Sequence, residues 1–337
     1  MIRAWLEPWL LRRWYGDVVP GPLLRALAGL YGWQVARRVA AYRGGRRTQH
    51  RVAVPVLVVG NLVAGGSGKT PAVIALAQHF TASGRRPGVL TRGYGRRGNT
   101  PSWASADSDP RLTGDEPIVI ARRSGVPVRV DADRVRAARA LIAAGCDLLL
   151  TDDGLQHYRL GRDIEIEVRD AARGYGNGLL LPAGPLREPL ARARQCDFRL
   201  VTGAADALAP QDGSFAMPIV PGSLMRLHDG DLCALSAFRG QRVHAVAGIG
   251  RPQRFFTTLR SAGIAVVEHA FADHHRFCPR DLRFGDDLAV LMTEKDAVKC
   301  QPFANERCFA LAVDAVLPAA FYAALDQRLA DCDRMPS

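Results

Sequence analysis

The chain has 337 residues, of which 48% are hydrophobic and 23% are charged. These values are typical of a folded protein with room for two domains, and they exclude an intrinsically disordered chain. The formal net charge of +12 indicates an anionic partner, either nucleic acid, a phosphate-bearing substrate or an acidic membrane surface. The seven cysteines are scattered without a C-x-x-C spacing, which argues against a zinc site or a disulfide framework and for reduced cytosolic thiols.

Residues 1–51 concentrate the positive charge. They contain ten arginines and two acidic residues, a local charge of +8, together with four of the five tryptophans of the chain. No run reaches the roughly 18 apolar residues of a membrane span. Arginines and Glu7 interrupt every candidate signal core, so we do not expect export. Cationic and aromatic side chains mixed in this way suit a bilayer interface, and we predict a basic, amphipathic, membrane-associating segment over residues 1–51.

A helix is predicted within this segment. It begins at Pro22, because proline is favoured in the first helical turn, and it ends at Gly44 and Gly45. Apolar residues recur along it at steps of three and four, which places them on one stripe. The stripe could face a membrane or pack on the protein's own core, and the sequence leaves both possibilities open. Its residues are Leu24, Leu27, Ala28, Tyr31, Val35, Val39 and Tyr42.

Residues 52–215 are predicted to form a P-loop kinase core domain. A glycine-rich loop lies between a predicted strand at 55–59 and a predicted helix at 71–82. Backbone N–H groups of such a loop can surround a phosphate, Lys69 can reach the β- and γ-phosphates, and Thr70 can ligate Mg²⁺. The strict Walker pattern has a glycine where this chain has Val63, but the strand and helix around the loop still favour phosphate binding. The loop residues are Gly65, Gly66, Ser67, Gly68, Lys69 and Thr70.

Two further apolar runs, Val89–Thr91 and Leu148–Thr151, predict buried strands. Strand–loop–helix alternation of this kind indicates a parallel sheet, flanked by helices, with its ligand site at the carboxyl ends of the strands. Asp152 and Asp153 directly follow the second run, where P-loop enzymes carry the acidic residue that holds Mg²⁺. An Asp-rich turn would look the same, so the pair gains its meaning from the P-loop.

Residues 216–337 are predicted to form a smaller α/β domain that completes the active-site cleft. Strands are predicted at 243–247 and 288–292, with a helix through residue 259 between them. Residues 204–235 are mixed and loop-rich, and we interpret them as a connector. The predicted fold is therefore α/β: a P-loop NTPase-type parallel sheet, a smaller C-terminal α/β domain and a basic N-terminal helix.

Two more motifs carry titratable groups. Asp115 lies in Gly114-Asp115-Glu116-Pro117, and Asp273-His274-His275 offers a carboxylate and two imidazoles. Neither has the spacing of a zinc site. Taken alone, each is most simply a surface aspartate or a hydrogen-bonded histidine.

The order of the motifs along the chain resembles the lipid A 4′-kinase (tetraacyldisaccharide 4′-kinase) family. No single motif is decisive, but the ordered combination covers nearly the whole chain and is highly specific. The family itself departs from the strict Walker spacing, so Val63 agrees with it. The matching segments are Gly60–Leu62, Gly65–Pro71, Thr91–Gly95, Gly114–Pro117, Asp152–His157, Gly184–Pro189, Asp273–His275 and Thr293–Lys299.

The resemblance implies transfer of the γ-phosphoryl group of MgATP to the 4′-hydroxyl of a tetraacylated glucosamine disaccharide 1-phosphate, a late step of lipid A synthesis. It implies a peripheral protein on the cytoplasmic face of the inner membrane. Lys69 and Thr70 would serve the nucleotide and the metal, and Asp152 and Asp153 the metal and the catalytic centre.

The resemblance also implies roles for the remaining motifs. Asp115 would be the general base that takes the hydroxyl proton, with His274 as its partner; the adjacent His275 is an open alternative. The candidates for contact with the acceptor are Gln156, Arg187 and Arg92. Arginine suits the 1-phosphate because its planar fork can bind two oxygens at once.

Two other classes of protein compete with this interpretation. The glycine-rich loop also resembles those of P-loop GTPases or ATPases that load cofactors or metals. The guanine-reading pattern Asn-Lys-x-Asp is absent, because Asp296 directly follows Lys295 in Thr293–Asp296. A nucleic-acid-binding ATPase would explain the net charge. We do not expect it, because the charge concentrates in a tryptophan-bearing segment with amphipathic helical spacing.

Overall fold

The computed structural model of the chain describes residues 2–203 and 213–334. Within these ranges it contains a sheet of eight strands and a sheet of six, with helices packed around them. The predicted α/β class is confirmed. The strands of the larger sheet are β1 (Val56–Gly60), β2 (Pro87–Thr91), β3 (Ser102–Ala104), β4 (Val128–Val130), β5 (Leu148–Asp152), β6 (Ile164–Asp170), β7 (Phe198–Thr202) and β8 (Ser214–Ala216).

The larger sheet has the spatial order β3-β4-β2-β5-β1-β6-β7-β8. Each neighbouring pair is parallel except β3 with β4. The predicted strands β1, β2 and β5 lie side by side and are buried along their whole length, which explains their uninterrupted runs of valine and leucine. Their carboxyl ends therefore meet at one edge of the sheet, where the P-loop, Arg92 and the Asp152–Asp153 pair follow.

Helices cover both faces of this sheet. They are α3 (Lys69–Ala82), α4 (Pro110–Thr113), α5 (Asp115–Ser124) and α6 (Arg134–Ala143). Leu57 and Val59 of β1 pack in an apolar cluster with α3 and α5, while Val56 and Val58 pack in a second cluster with α6. Successive strand residues point to opposite faces, so β1 is covered on both sides.

The smaller sheet has the spatial order β10-β9-β14-β13-β11-β12, and β9 is antiparallel to both of its neighbours. Its elements are β9 (Ile219–Arg226), β10 (Leu232–Cys233), β11 (Arg242–Ala247), α7 (Pro252–Ser261), β12 (Ala265–Ala270), β13 (Val290–Thr293), α8 (Glu294–Cys300), β14 (Cys308–Ala315) and α9 (Ala319–Arg334).

The predicted connector at residues 204–235 is wrong where β8, β9 and β10 form. Only Leu224 of β9 is fully buried, and Pro221 and Gly222 interrupt its apolar pattern. Strands near a sheet edge tolerate such residues, so the segment reads as a loop in the sequence. Residues 204–212 of the predicted connector lie outside the described ranges.

Helix α9 crosses back to the larger sheet. Phe321, Leu325 and Leu329 belong to the same apolar cluster as α3 and β1. The ring of Phe321 lies 5.5 Å from that of Phe198 in β7 and 5.4 Å from that of Phe215 in β8. The division of the chain at residue 215 therefore stays a prediction, because a helix of the second segment completes the core of the first.

The N-terminal residues form two helices, α1 (Ile2–Tyr15) and α2 (Pro22–Arg43). The predicted bounds of α2 are confirmed. Its predicted stripe packs on the protein: Ala28 and Val35 are buried, and its other members are partly buried apart from Leu27. A second apolar face is exposed to solvent. It consists of Leu23 (73% exposed), Leu27 (44%), Leu30 (54%) and Trp33 (58%). We call these four residues the outer face of α2.

No helix within the described ranges combines the length and the apolar character needed to cross a bilayer.

Replacement of Phe321 by alanine should destabilise the larger sheet, although the residue follows the smaller sheet in the chain. Loss of a fully buried phenylalanine leaves a cavity and lowers the free energy of unfolding by about 3–5 kcal/mol. Urea denaturation measures the change. The exposed Gln327 of the same helix is the control, and Gln327→Ala should stay within about 0.5 kcal/mol of the wild type. Equal effects of the two variants would contradict the packing of α9 described above.

Candidate active site

The P-loop joins β1 to α3, and its conformation depends on glycine at two positions. Gly65 and Gly68 have φ angles of +109° and +95°, a region that side-chain-bearing residues rarely adopt. A Cβ atom on Gly68 would also lie 3.0 Å from Cγ2 of Thr202. Val63, which replaces the glycine of the strict Walker pattern, is buried and its backbone pairs with that of Leu186. This departure from the Walker pattern therefore lies at the start of the loop, where the chain packs against Leu186.

Two polar residues that sequence reasoning missed hold the P-loop in place. Asn61 Nδ2 donates hydrogen bonds to the carbonyl oxygen of Gly65 (3.1 Å) and to Oγ of Ser67 (3.2 Å). Thr202 Oγ1 donates to the carbonyl oxygen of Ser67 at 3.3 Å. Asn61 stands in a matching motif, but its contacts depend on the fold. Thr202 at the end of β7 gives no signal in the sequence.

Asp152 is a buried carboxylate at the end of β5. Both of its carboxylate oxygens are shielded from solvent, and neither has a hydrogen-bond partner in the part of the chain that the structure describes. Burial, together with the nearby Glu116, raises the pKa of Asp152 to about 7. The buried Arg134 bonds to the backbone carbonyl of Asp152 at 3.3 Å instead of to its side chain. The carboxylate is therefore free to bind a cation.

Asp153 has the opposite environment. Its φ angle of +55° turns it away from the line of β5. Nη1 of Arg187 lies 2.8 and 2.9 Å from the two carboxylate oxygens, and Nζ of Lys69 lies 3.7 Å from Oδ1. Burial alone would raise its pKa, but Lys69 and Arg187 outweigh burial and lower it to about 2. Asp153 is thus an ionised anchor for Lys69.

These residues fit a Mg²⁺ ion that is shared with a phosphate. Mg²⁺ keeps several waters and usually takes one or two protein carboxylates plus phosphate oxygens. Asp152 has the unpartnered buried oxygens that such an ion satisfies, and Thr70 lies buried in the first turn of α3. In the described residues no group of three or more His, Cys, Asp or Glu side chains could hold a metal alone.

Asp115 and His274 meet across the two sheets. Asp115 begins α5 and is buried, and His274 follows β12. Nδ1 of His274 lies 3.2 Å from Oδ2 of Asp115, and Nζ of Lys299 lies 3.6 Å from the same oxygen. Burial would raise the pKa of Asp115, but His274, Lys295 and Lys299 together lower it to about 2. The hydrogen bond to Asp115 raises the pKa of His274 against the opposing effect of burial.

His275 points elsewhere. Its Nε2 lies 3.0 Å from Oδ2 of Asp281. Its ring packs 4.6 Å from that of Phe271 and 4.8 Å from that of Phe277. The structure therefore brings His274, and not His275, to Asp115. The sequence could not decide this because the positive φ of His274, +57°, cannot be read from adjacent histidines.

Two of the predicted acceptor residues, Gln156 and Arg187, contact each other beside Asp153. Gln156 Nε2 donates to the carbonyl oxygen of Asn61 at 3.2 Å, and its Oε1 lies 3.5 Å from Nη1 of Arg187. The guanidinium group of Arg187 forms an ion pair with the carboxylate of Asp153. Arg92 is exposed where β2 ends. Glu188, which sequence reasoning missed, is buried and binds Gln156 Nε2 at 3.3 Å; it stands in a matching motif, but nothing in the sequence marks it as buried.

A glycine-rich loop between a strand and a helix, with an acidic pair at the end of the neighbouring parallel strand, is typical of a P-loop phosphotransferase. The comparisons with known proteins narrow this class. A family model described as tetraacyldisaccharide-1-P 4′-kinase matches residues 21–330. The chain belongs to this family.

Similar proteins agree with that assignment. A tetraacyldisaccharide 4′-kinase of Stenotrophomonas maltophilia is 55% identical over 323 residues, which cover 94% of this chain and 95% of the relative. One of Xylella fastidiosa is 51% identical over 321 residues, with 94% and 95% covered. The crystal structure of LpxK from Aquifex aeolicus in complex with ATP superposes with a TM-score of 0.74 at 28% identity, covering 98% of this chain and 99% of that one. The resemblance inferred from the motifs is confirmed, and a cofactor-loading GTPase or ATPase is not favoured.

The pH dependence of turnover tests the Asp115–His274 pair. A protonated His274 prevents Asp115 from taking the proton of the acceptor hydroxyl. We therefore expect kcat to rise with pH and to level off above the pKa of His274. Because the hydrogen bond to Asp115 raises that pKa, the plateau should lie above the ordinary value near 6.5. In His274→Gln this rise of kcat with pH should disappear, and kcat should fall by about 10²-fold.

The neighbouring histidine is the matched control for this experiment. The variant His275→Gln should retain the rise of kcat with pH, because His275 contacts Asp281 and not Asp115. Saturating Mg²⁺ should keep Asp152 ionised, whose pKa is otherwise raised to about 7. Under that condition, a rise of kcat with pH that survives in His274→Gln, or that vanishes in His275→Gln, would contradict the assignment.

Proposed function

We propose that this chain transfers the γ-phosphoryl group of MgATP to the 4′-hydroxyl of a tetraacylated glucosamine disaccharide 1-phosphate. One observation carries the proposal: the unpartnered, buried carboxylate of Asp152 lies at the same edge of the sheet as the P-loop and Lys69. Only a nucleotide–metal complex would satisfy a carboxylate, a loop of N–H groups and an ammonium group together.

The P-loop residues Gly65–Thr70 would bind the nucleotide phosphates through backbone N–H groups, with Lys69 on the β- and γ-phosphates. Asp152 and Thr70 would hold the metal, and Asp153 would fix the position of Lys69. When bound, Mg²⁺ neutralises negative charge on the phosphoryl group in transfer. The binding of ATP is inferred from the relative of Aquifex aeolicus and from the loop geometry.

Asp115 would accept the proton of the 4′-hydroxyl, and His274 would orient Asp115 and share the proton. The low pKa of Asp115 makes it a weak base. This is adequate because phosphoryl transfer depends more on positioning and charge neutralisation than on base strength. Arg92 and Gln156 are the proposed acceptor contacts. Arg187 would act first on Asp153, with the acceptor as a second partner.

We also propose that residues 52–215 form the kinase core and residues 216–337 a smaller domain that completes the cleft. His274 reaches Asp115 from the second segment, and Arg254 of α7 bonds to Asp170 of β6 at 3.0 Å. Contacts of this kind allow closure around the nucleotide to exclude water, which limits wasteful hydrolysis.

The membrane is the proposed location of the reaction, with the protein bound peripherally to the cytoplasmic face of the inner membrane. The acceptor carries acyl chains, so its sugar lies at a bilayer surface. The outer face of α2 presents Leu23, Leu27, Leu30 and Trp33 to solvent. Arg37 lies on the same side of the helix as these residues, and an arginine near an anionic headgroup surface contributes about 1 kcal/mol.

Replacement of Lys69 by alanine tests the reaction itself. We expect phosphorylation of tetraacyldisaccharide 1-phosphate from labelled ATP and Mg²⁺ to fall by at least about 10²–10³-fold, because one preorganised charge contact to the transferred group is lost. Gln78→Ala, on the exposed side of the same helix, is the control and should keep wild-type turnover. Wild-type turnover in Lys69→Ala would remove the P-loop from the mechanism.

Replacement of Leu23, Leu27 and Leu30 together by serine tests membrane binding. Each leucine contributes roughly 1–2 kcal/mol when its exposed part is buried in lipid, so flotation with phosphatidylethanolamine–phosphatidylglycerol vesicles should weaken at least tenfold. Activity on vesicle-embedded acceptor should fall in parallel, and activity on detergent-dispersed acceptor should fall less.

Leu232 supplies the control for the triple variant. It is 71% exposed but lies in β10 of the smaller sheet, so Leu232→Ser should float like the wild type. A wild-type protein that does not float, or a triple variant that floats equally well, would show that the outer face of α2 has another role.

A further inference from the structure

We propose that Tyr31 is a positioning residue that links α2 to the phosphoryl-transfer centre through Arg187. The proposal rests on the proposed function and deepens it, because it gives the membrane-facing helix a direct influence on turnover.

The link is a chain of three contacts. The hydroxyl of Tyr31 donates a hydrogen bond to the backbone carbonyl oxygen of Arg187 at 2.9 Å. Nη1 of Arg187 lies 2.8 and 2.9 Å from the carboxylate oxygens of Asp153, and Asp153 lies 3.7 Å from Nζ of Lys69. A side chain of α2 is thus three contacts away from the lysine that we assign to the transferred phosphate.

The backbone around Arg187 leaves little freedom to absorb a movement of Tyr31. The N–H of Arg187 donates to the carbonyl oxygen of Leu62 at 2.7 Å, and the N–H of Ala64 donates to the carbonyl oxygen of Pro185 at 2.8 Å. The segment that carries Arg187 is therefore tied to the base of the P-loop on one side and to Tyr31 on the other. A shift of α2 changes where Arg187 and Asp153 lie relative to Lys69.

The packing of α2 at the next residue makes this link stiff. A Cβ atom on Gly32 would lie 2.7 Å from Cδ1 of Leu180, so the helix approaches the 179–187 segment as closely as glycine allows. Chains of packed side chains and hydrogen bonds of this kind carry coupling between distant groups. Tyr31 and Gly32 thus hold α2 in direct contact with residues 179–187.

Tyr31 lies between the two faces of α2. At 100° per residue, it falls between the outer face, which includes Leu27 and Leu30, and the buried residues Ala28 and Val35. A helix that settles into a bilayer through its outer face therefore moves Tyr31 directly. Burial raises the pKa of the Tyr31 phenol, so its hydroxyl retains the proton that it donates to Arg187.

The test is Tyr31→Phe, which removes the hydroxyl and keeps the ring. The measured quantity is the ratio of kcat on vesicle-embedded acceptor to kcat on detergent-dispersed acceptor. Both rates come from one preparation, so the ratio does not depend on the folded fraction. We expect the ratio to fall about three- to tenfold, the equivalent of roughly one hydrogen bond, while flotation with phosphatidylethanolamine–phosphatidylglycerol vesicles stays at the wild-type level.

Tyr42→Phe is the matched control on the same helix. The ring of Tyr42 stacks on that of Tyr158 at 5.9 Å, and the substitution should leave the ratio unchanged. The variants Arg187→Ala and Tyr31→Phe/Arg187→Ala test the route: once the Arg187 side chain is absent, loss of the Tyr31 hydroxyl should change the ratio no further.

Two results would overturn the proposal. One is an unchanged ratio in Tyr31→Phe, and the other is a full additional loss in the double variant, which would mean that Tyr31 acts independently of Arg187. Both are separable from a failure of the proposed function: in that case the wild-type protein itself would phosphorylate no lipid.

Discussion

Two adjacent carboxylates at the end of a buried strand set the constraint around which the active site is arranged. Burial disfavours the ionised form of each carboxylate, so each needs a nearby cation or a proton to compensate for its charge. The structure separates them by a positive φ at Asp153, which sends that carboxylate to Arg187 and Lys69. Asp152 stays behind with its pKa raised to about 7. Asp153 stays ionised and pairs with Lys69 and Arg187, whereas neither carboxylate oxygen of Asp152 has a hydrogen-bond partner among the described residues.

The same separation explains why several distant segments converge on one edge of the sheet. Arg187 must reach Asp153, so the Gly184–Pro189 segment lies against the base of the P-loop, with the backbone of Val63 paired to that of Leu186. Gln156 joins the two, because its Nε2 donates to the carbonyl oxygen of Asn61 and to the buried Glu188. Parallel strands supply the geometry, because their carboxyl ends meet there by topology alone.

Much of this arrangement could be predicted from the sequence, and the parts that could not have physical reasons. Buried central strands and a glycine-rich loop leave local patterns, so β1, β5, the P-loop and the acidic pair were all predicted. Strand β6 was missed because Glu165 and Glu167 interrupt its apolar pattern although both are buried. Strand β9 was missed because partial exposure and Pro221 hide its pattern. The choice between His274 and His275, and the burial of Glu188, depend on backbone angles and tertiary contacts that no local pattern encodes.

The stripe on α2 shows a second limit. Periodicity identified an apolar face correctly, but it could not say that this face packs inward while Leu23 and Leu30 lie on another. A helix with two apolar faces has no strong amphipathic signature, because its hydrophobic residues surround much of its circumference. Burial, and not sequence period, separates the face that holds the helix on the protein from the face that is exposed to solvent.

The return of α9 to the larger sheet has a consequence for synthesis of the protein. Domains commonly fold as units while the chain emerges, N-terminal part first. Here the core around β7 and β8 lacks Phe321 and Leu325 until residues 319–334 have left the ribosome. The larger sheet therefore keeps apolar surface exposed until the smaller sheet and α9 have been synthesised. A chain that ends before α9 would contain every P-loop residue but would lack the side chains that complete the apolar core of the larger sheet.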